Sequence, residues 1–422
     1  MISFNTFVQP STVSCVMRAK CTSSIIKNQF SRRVGFAVLF QLFLSLGAQK
    51  CIAQAKNVTA MNETLQFAGP AEDNEATSWE EFQLSGAWST VASGAFRAIP
   101  HAPASALETS NAFLILQKNK GVVQFLLQGG SYTMSTLGSG GPQGEHTEKN
   151  SFGTLPHAYL SVHPDESWSL QAGKLLSMPG FENPFTYQNQ NIQRGLLENQ
   201  NNTISRGLQL NYTGENTTFF GTLNDGFYSG EMKWVGAGGS YRFNDRNSSN
   251  VMLGGAFKTS GVHTDTTPLL QNNSRILNIV HNIKWGIWSI TPYYQYTQIP
   301  SNDITALSSP ANTKGSAMMV NDHIDLPATR IFPAGSTLHL PLRLEYIKAN
   351  DYKSNAAQQV VFGPKSEALS LTFTPTLQKG IFFARTEWSW IQARHALTSP
   401  NSLLGNSRDR VSKFLLELGI LY

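Results

Sequence analysis

Charged residues are scarce in this chain. Asp, Glu, Lys and Arg make up 14% of its 422 residues, whereas soluble domains contain about a quarter. The net charge of +5 is spread thinly, without the Lys/Arg clusters of a nucleic-acid-binding surface. Beyond the N-terminal segment, no apolar run is long enough to form a membrane-spanning helix. The length suits either two or three soluble domains or one large barrel.

Cysteine is absent from most of the chain, since all three cysteines (Cys15, Cys21 and Cys51) lie within the first 55 residues. The same segment has the features of a signal peptide: a basic pair, an apolar run at 35–46 and a small-residue cleavage pattern ending at Ala55. We predict a signal peptide over residues 1–55, cleaved after Ala55. The mature chain then lacks cysteine, which excludes a disulfide framework and a thiol nucleophile.

The stretch before the apolar run is unusually long, so Met1 and Met17 both stay open as the start of the protein. A membrane anchor is the alternative interpretation of residues 35–46, and the shortness of the run disfavours it. Lipid attachment at Cys51 is disfavoured because Lys50 occupies a position that should hold a small residue.

The rest of the chain consists of short stretches of alternating polarity. Residues 56–80 are polar and predict a flexible periplasmic lead-in. From residue 81 to residue 422, segments of about eight to twelve residues alternate between apolar and polar side chains and are separated by Gly, Asn, Asp and Pro. We predict about sixteen strands, with a range of about 14–18. They begin near Phe82, Asn111, Gly121, Thr154, Trp168, Ile204, Thr217, Met232, Asn250, Arg275, Ile287, Gly315, Thr337, Glu367, Gly380 and Ser412.

The connections between these strands alternate between short and long. Outer-membrane barrels have short periplasmic turns, longer outer loops and an even number of strands, whereas a soluble sandwich has no reason to alternate in this way. Two connections fit poorly: 228–231 is short where a long one is expected, and 322–336 is long where a short one is expected. We therefore predict an all-β fold, a transmembrane antiparallel β-barrel over residues 81–422 in the Gram-negative outer membrane.

Individual strands show the two faces of such a barrel. In the stretch 342–346, Leu342, Leu344 and Tyr346 alternate with Arg343 and Glu345. Arg on the lipid face at the bilayer midplane costs roughly 2–4 kcal/mol, so the charged set should face the lumen. By the same alternation we place Arg242, Arg385 and Glu387 on lumen faces.

The last strand, 411–422, has apolar residues at every second position and ends on Tyr422. It resembles the C-terminal strand of Gram-negative outer-membrane barrels, whose terminal aromatic is recognised by the barrel-assembly machinery. The alternative is the edge strand of a soluble sheet.

The third long connection, about 176–203, is rich in aromatic, Asn and Gln residues and contains Glu182, Arg194 and Glu198. In general porins the third outer loop folds into the barrel and narrows the pore. The composition suits a neutral-polar constriction for hydroxylated solutes. The alternative is an exposed loop that shields the surface.

Several stretches resemble the OmpL-like putative β-barrel porin-2 family. They are 158–160, 170–174, 191–197, 207–213 and 223–229, joined by 342–346 and 384–388 near the C-terminus. The resemblance extends over nearly all of the chain from about residue 82. It implies an outer-membrane diffusion channel and supplies neither a solute nor catalytic residues.

Candidate metal and catalytic sites have little support in the sequence. The nine histidines show no pair at metal-ligand spacing on one element. The stretch 322–325, Asp-His-Ile-Asp, is better explained as a turn than as a metal site. No Ser/His/acid set can be assembled from spacing, so we predict neither an enzyme nor a cofactor or metal site.

The sequence thus predicts a porin that allows passive diffusion of small hydrophilic solutes, with weak ion selectivity because both signs of charge are present. The candidate constriction and lumen residues are Glu182, Arg194, Glu198, Arg242, Arg343, Glu345, Arg385 and Glu387. The alternative is a non-conducting surface barrel that acts in binding, adhesion or envelope structure. The expected partners are outer-membrane lipid, lipopolysaccharide and the assembly machinery, with a homo-trimer left open.

Overall fold

A computed structural model describes Leu65 and residues 82–97, 105–138, 151–178, 180–264, 266–329, 334–353, 360–397 and 409–422. The predicted signal peptide, its cleavage after Ala55 and the choice between Met1 and Met17 lie outside the described residues. So does the lead-in at 56–80, apart from Leu65, which is buried and belongs to an apolar cluster with inward-facing residues of the barrel. Within the described ranges, no helix is long and apolar enough to cross a membrane.

The described residues form nineteen strand segments in one closed sheet. Their bounds are β1 (Phe82–Arg97), β2 (Ser105–Lys118), β3 (Val123–Tyr132), β4 (His157–Val162), β5 (Trp168–Leu176), β6 (Ile204–Thr213), β7 (Thr217–Asn224), β8 (Trp234–Asn244), β9 (Asn247–Ala256), β10 (Arg275–Trp285), β11 (Trp288–Ile299), β12 (Ala311–Asp322), β13 (Ile324–Asp325), β14 (Ser336–His339), β15 (Leu342–Ala349), β16 (Glu367–Phe373), β17 (Thr376–Lys379), β18 (Phe382–Arg394) and β19 (Arg410–Leu421). Three short 3₁₀ helices lie in the outer connections: η1 (Thr186–Gln188), η2 (Leu197–Gln200) and η3 (Gln271–Asn273).

Six of these segments pair up end to end, so the sheet has sixteen antiparallel strands, as predicted. The interrupted strands are β12 with β13, β14 with β15, and β16 with β17. Pro341 separates β14 from β15, and Pro375 separates β16 from β17. Proline lacks the N–H that a ladder bond requires, and this explains why the two strands break at neighbouring positions.

The barrel closes between β1 and β19, which pair antiparallel from Ala87 opposite Leu421 to Arg97 opposite Ser412. At the end of this seam the backbone N–H of Gly86 donates to the carbonyl of Tyr422 at 2.7 Å, and the N–H of Tyr422 donates back at 3.0 Å. Tyr422 therefore extends the seam by one further pair of backbone hydrogen bonds.

The predicted alternation of connection lengths is confirmed. One end of the barrel has the turns 119–122, 163–167, 214–216, 245–246, 286–287 and 380–381, and the opposite end has the longer connections. The two exceptions have structural explanations. The connection 225–233 is longer than the sequence suggested because β7 ends at Asn224, and 326–335 is the tip of a hairpin that β13 and β14 extend beyond the neighbouring turns.

Predicted and observed strand starts coincide at six positions: Phe82, Trp168, Ile204, Thr217, Arg275 and Glu367. The largest error is in β2, which begins at Ser105 instead of near Asn111. The polar stretch 105–110 resembles a loop in sequence. It is ordered as strand because the long β1 pairs with it as far as Gly94 opposite Ser105.

The two faces of the wall are as predicted. Along β15, Leu342, Leu344 and Tyr346 are exposed on the outside, whereas Arg343 and Glu345 are buried on the inside. Most of the exposed large apolar side chains occupy outward positions of this kind, which suits a surface that contacts hydrocarbon.

Candidate lumen and third outer loop

The connection 177–203 between β5 and β6 lies against the inner face of the opposite wall. Its 3₁₀ helix η1 contacts β2, and η2 contacts β12. Its backbone and side chains also form hydrogen bonds with inward-facing residues of β11, β15, β18 and β19. We call this segment the third loop, since it is the third long connection from the N-terminus.

An aromatic cluster holds the beginning of the third loop. The ring of Phe185 lies 4.7 Å from that of Phe113 on β2 and 5.4 Å from that of Tyr132 on β3, both in edge-on geometry. Tyr187 packs edge-on against Phe113 at 6.2 Å. All four rings are buried, so this contact anchors the loop through apolar area and ring geometry.

The first ionic anchor is the pair Arg385–Glu417, which is fully buried. The Nε of Arg385 donates to Glu417 at 2.7 Å, and its two other nitrogens donate to the backbone carbonyls of Thr186 and Asn189 in the loop. Glu417 also accepts a hydrogen bond from the Thr186 hydroxyl at 2.8 Å. One guanidinium therefore joins β18, β19 and the loop.

The second anchor is Glu387 on β18. Its carboxylate accepts the backbone N–H of Ile192 at 2.6 Å and that of Gln193 at 3.2 Å, together with the Thr374 hydroxyl at 3.0 Å. A carboxylate that receives two successive backbone N–H groups acts as a cap for the loop segment it faces.

The third anchor is formed by Arg343 and Glu345 on β15. Glu345 accepts the backbone N–H of Leu196 at 3.0 Å and that of Leu197 at 3.3 Å. Arg343 donates to the carbonyl of Gln193 at 2.9 Å and forms an ion pair with Glu182 of the loop. The Nε of Arg343 lies 3.3 Å from Glu345 without donating a hydrogen bond to it.

The loop is also braced internally. Glu198 accepts the backbone N–H of Phe181 at 2.9 Å and lies 3.3 Å from the guanidinium of Arg194. Arg194 further joins the loop to the segment after β3, because its N–H donates to Ser135 and its carbonyl accepts from Leu137. Burial raises the pKa of Glu182 to about 7; Arg343 opposes that shift, and the nearby carboxylates Glu198 and Glu345 reinforce it.

The structure thus brings seven of the eight candidate residues to one place and leaves the eighth outside it. Arg242 lies at the end of β8 beside the tight turns, where it is exposed and donates to Asn216 at 3.1 Å and to the carbonyl of Glu215 at 3.0 Å. Arg242 occupies an inward-facing strand position, as the sequence predicts, but it lies at the rim of the barrel and bonds to a turn there.

Sequence reasoning missed Glu417 and Thr186. The signal for Glu417 was available, since it occupies an inward position of the C-terminal strand and lies directly opposite Arg385 in the sheet. Thr186 carried no such signal, because its role depends on the path of the loop.

The inner face of β5–β9 is different in character, because it carries amides and hydroxyls. Gln209 donates to Asn211 at 2.8 Å and to Gln171 at 3.4 Å, and Thr218 is bonded to Ser240 at 2.6 Å. The bonds from Gln209 to Gln171 and between Thr218 and Ser240 join neighbouring strands, and the bond from Gln209 to Asn211 lies within β6. The third loop takes no part in them.

Two of the weaker candidates for a catalytic or metal site lie within the described residues. Ser161 is 2.9 Å from the His163 ring, and within the described ranges no carboxylate accompanies the pair. In the stretch 322–325, His323 lies 3.3 Å from Asp325 at the break between β12 and β13. Among the described residues, no group of three or more His, Cys, Asp and Glu side chains could hold a metal ion.

Solved structures with a similar fold are outer-membrane barrels. The outer-membrane channel DcaP of Acinetobacter baumannii aligns with a TM-score of 0.50 at 12% identity, over 81% of this chain and 97% of that one. The trimer form of OmpT from Vibrio cholerae has a TM-score of 0.49 at 10% identity, over 81% and 99%. OprD of Pseudomonas aeruginosa has 0.44 at 11%, over 86% and 99%. No curated protein matches the sequence.

The family comparison covers nearly the whole barrel. The family described as putative beta-barrel porin-2, OmpL-like, matches residues 89–421, which run from β1 to the last residue of β19. The earlier resemblance, drawn from short stretches, is confirmed at this scale. The chain belongs to the putative beta-barrel porin-2, OmpL-like family of outer-membrane porin-type barrels.

Proposed function

We propose that this protein is an outer-membrane porin for the passive diffusion of small hydrophilic solutes, in which the third loop is the constriction. The observation that carries the proposal is the position of that loop, which is clamped by buried side chains to the inner faces of β11, β15, β18 and β19. A barrel of this strand number is wide enough for an aqueous channel. A loop held against one side of the lumen narrows that channel and leaves the inner face of the other side uncovered.

The charged residues of the constriction have a structural task in this proposal. Arg343, Arg385, Glu345 and Glu387 direct their charges at the loop backbone or at each other. They hold the loop in place, and their net effect on passing ions is small because both signs occur together.

Conductance in planar bilayers tests the proposal. The purified barrel should conduct, and deletion of residues 178–199 should raise the single-channel conductance because the loop no longer occupies the lumen. A matched control removes side-chain anchors without shortening the chain: Phe185→Ala with Tyr187→Ala should raise conductance or current noise by a smaller amount.

A barrel that is silent both with and without the loop would contradict the porin function. It would favour the alternative, a non-conducting surface barrel whose loops bind a partner.

The expected partners belong to the same proposal. The outward apolar residues would contact lipid and lipopolysaccharide, and the strand ending at Tyr422 would be the one that the barrel-assembly machinery recognises. A homo-trimer is tested separately by native electrophoresis of the detergent-extracted protein, with the monomer band as the contrary result.

A further inference from the structure

The charges inside the barrel are confined to one part of the wall. Among the described strands, the inward-facing charged residues away from the turns are Glu108, Arg343, Glu345, Arg385, Glu387, Lys413 and Glu417, on β2, β15, β18 and β19. All but Glu108 and Lys413 are more than nine-tenths buried under the third loop, and they are bonded to the loop or to one another. These five groups are therefore withdrawn from contact with solutes, and all seven lie in the part of the wall that runs from β15 through β19 and β1 to β2.

The part of the wall from β4 to β10 contains no Asp or Glu in any of its strands. Its basic residues are also displaced from the lumen. Lys174, Arg206 and Arg275 occupy outward-facing positions near the outer end of the wall. Arg242 and Lys284 have inward parity but are exposed beside the tight turns at the other end. Between the two ends, the inner face is uncharged.

Six amide and hydroxyl side chains lie on that uncharged inner face. They are Gln171 on β5, Gln209 and Asn211 on β6, Thr222 on β7, Ser240 on β8 and Asn282 on β10. Five of the six are only partly buried, and Gln209 is 7% exposed. Several of them bond to neighbours on adjacent strands, as Asn211 does to Ser169 at 3.2 Å and Asn282 does to Thr291 at 2.9 Å. We call these six residues the polar ladder.

We infer that the polar ladder is the solute track of the channel and that it favours uncharged polyhydroxylated solutes over ions. This inference rests on the proposed function, since a track has meaning only in a conducting barrel. Hydroxyl-rich solutes can exchange hydrogen bonds with water for hydrogen bonds with amides and hydroxyls at little net cost. An ion loses hydration in a narrow passage and finds no opposite charge on the ladder to compensate.

A single inserted charge tests where the path runs. Gln171→Glu places a carboxylate at a partly buried position of the ladder, away from the strands that carry the buried charges, and changes little in volume. In a potassium chloride gradient, the wild-type channel should show a cation-to-anion permeability ratio close to the ratio of bulk mobilities, and Gln171→Glu should raise that ratio several-fold. Gln298→Glu is the matched control: Gln298 occupies an outward-facing position near the outer end of β11, opposite Arg275, and the ratio should not change.

Solute flux tests which class of solute the channel favours. In a liposome swelling assay, a neutral sugar should enter faster through the wild-type channel than a sugar acid of similar size, and Gln171→Glu should widen that difference. A conducting wild-type channel with strong ion selectivity, or an unchanged permeability ratio in Gln171→Glu, would overturn the polar ladder as the track and leave the porin function standing. A channel that neither conducts nor swells liposomes would overturn the proposed function and the inference with it.

Discussion

Arg385 and Glu417 lie opposite each other on β18 and β19, and their fully buried ion pair is bonded to the third loop at Thr186 and Asn189. The pair therefore couples β18 and β19 to the third loop. Because β19 also closes the barrel against β1, the position of the loop and the closure of the wall both depend on β19.

Arg385→Leu should destabilise the barrel and loosen the loop. The substitution leaves the carboxylate of Glu417 buried without its cation, and such a loss costs roughly 3–5 kcal/mol in protein interiors. It also leaves the carbonyls of Thr186 and Asn189 without their donor. Urea unfolding in detergent should show a lower midpoint, and single-channel recordings should show greater current noise.

The control for Arg385→Leu is Lys348→Gln. Lys348 forms an ion pair of 2.5 Å with Glu367 near the outer end of β15, but its side chain is half exposed. Solvent screens such pairs and makes them weak, so the midpoint should hardly move. Equal effects of the two substitutions would contradict the idea that burial under the loop gives Arg385 its importance.

Glu387→Gln should release the middle of the loop while the wall stays intact. The amide keeps the size of the side chain but loses the negative charge that receives the N–H groups of Ile192 and Gln193. Bonds to a charged acceptor are roughly twice as strong as neutral ones. We expect more frequent conductance fluctuations. The free energy of unfolding in urea should stay within about 1 kcal/mol of the wild-type value. A quiet channel with wild-type conductance would show that these two bonds do not hold the loop.

Much of this arrangement could be predicted from the sequence, and the reason is local. The period of two places Arg343, Glu345, Arg385 and Glu387 on one face whatever the neighbours are. The alternation of turn and loop lengths depends on the chain alone. What could not be predicted is the partner of each charge. Arg385 lies close to Asn189 only because the third loop crosses the lumen, and nothing in the composition of 177–203 specifies that path.

The position of Arg242 shows the same limit. Parity assigns it to the inner face, and it does have that parity, but alternation does not tell how far along the strand a residue lies from the turn. Its hydrogen bonds to residues 215–216 place it at the rim. The axial position of an inward residue follows from the strand bounds, which are the least certain part of a sequence-based prediction.

Two glycines on β1 should respond oppositely to the same substitution. A Cβ on Gly86 would lie 2.5 Å from the ring of Tyr422, whereas a Cβ on Gly94 would have no atom within 4 Å. Gly86→Ala should therefore disturb the seam and lower the yield of folded barrel. Gly94→Ala should be neutral or slightly stabilising, because alanine reduces the entropy of the unfolded chain. Heat modifiability on gels measures the folded fraction, and equal yields would contradict a role for Tyr422 in closing the seam.

The loop should be held more firmly in mild acid than in mild base. The pKa of Glu182 is raised to about 7, above its usual value of 4.5, mainly by burial and further by the carboxylates of Glu198 and Glu345. A raised pKa means that the docked loop favours the protonated group, so its contribution to stability is fully present below pH 4.5 and is lost as the pH rises through about 7. Above that pH, the ionised carboxylate of Glu182 is buried beside those of Glu198 and Glu345, and its ion pair with Arg343 does not fully offset the cost. Current noise in the wild-type channel should therefore increase from about pH 6 to about pH 8.

Glu182→Gln, which cannot ionise, should remove this dependence while keeping a side chain of the same size. If the variant retained the full pH dependence, another group would have to be the one that titrates.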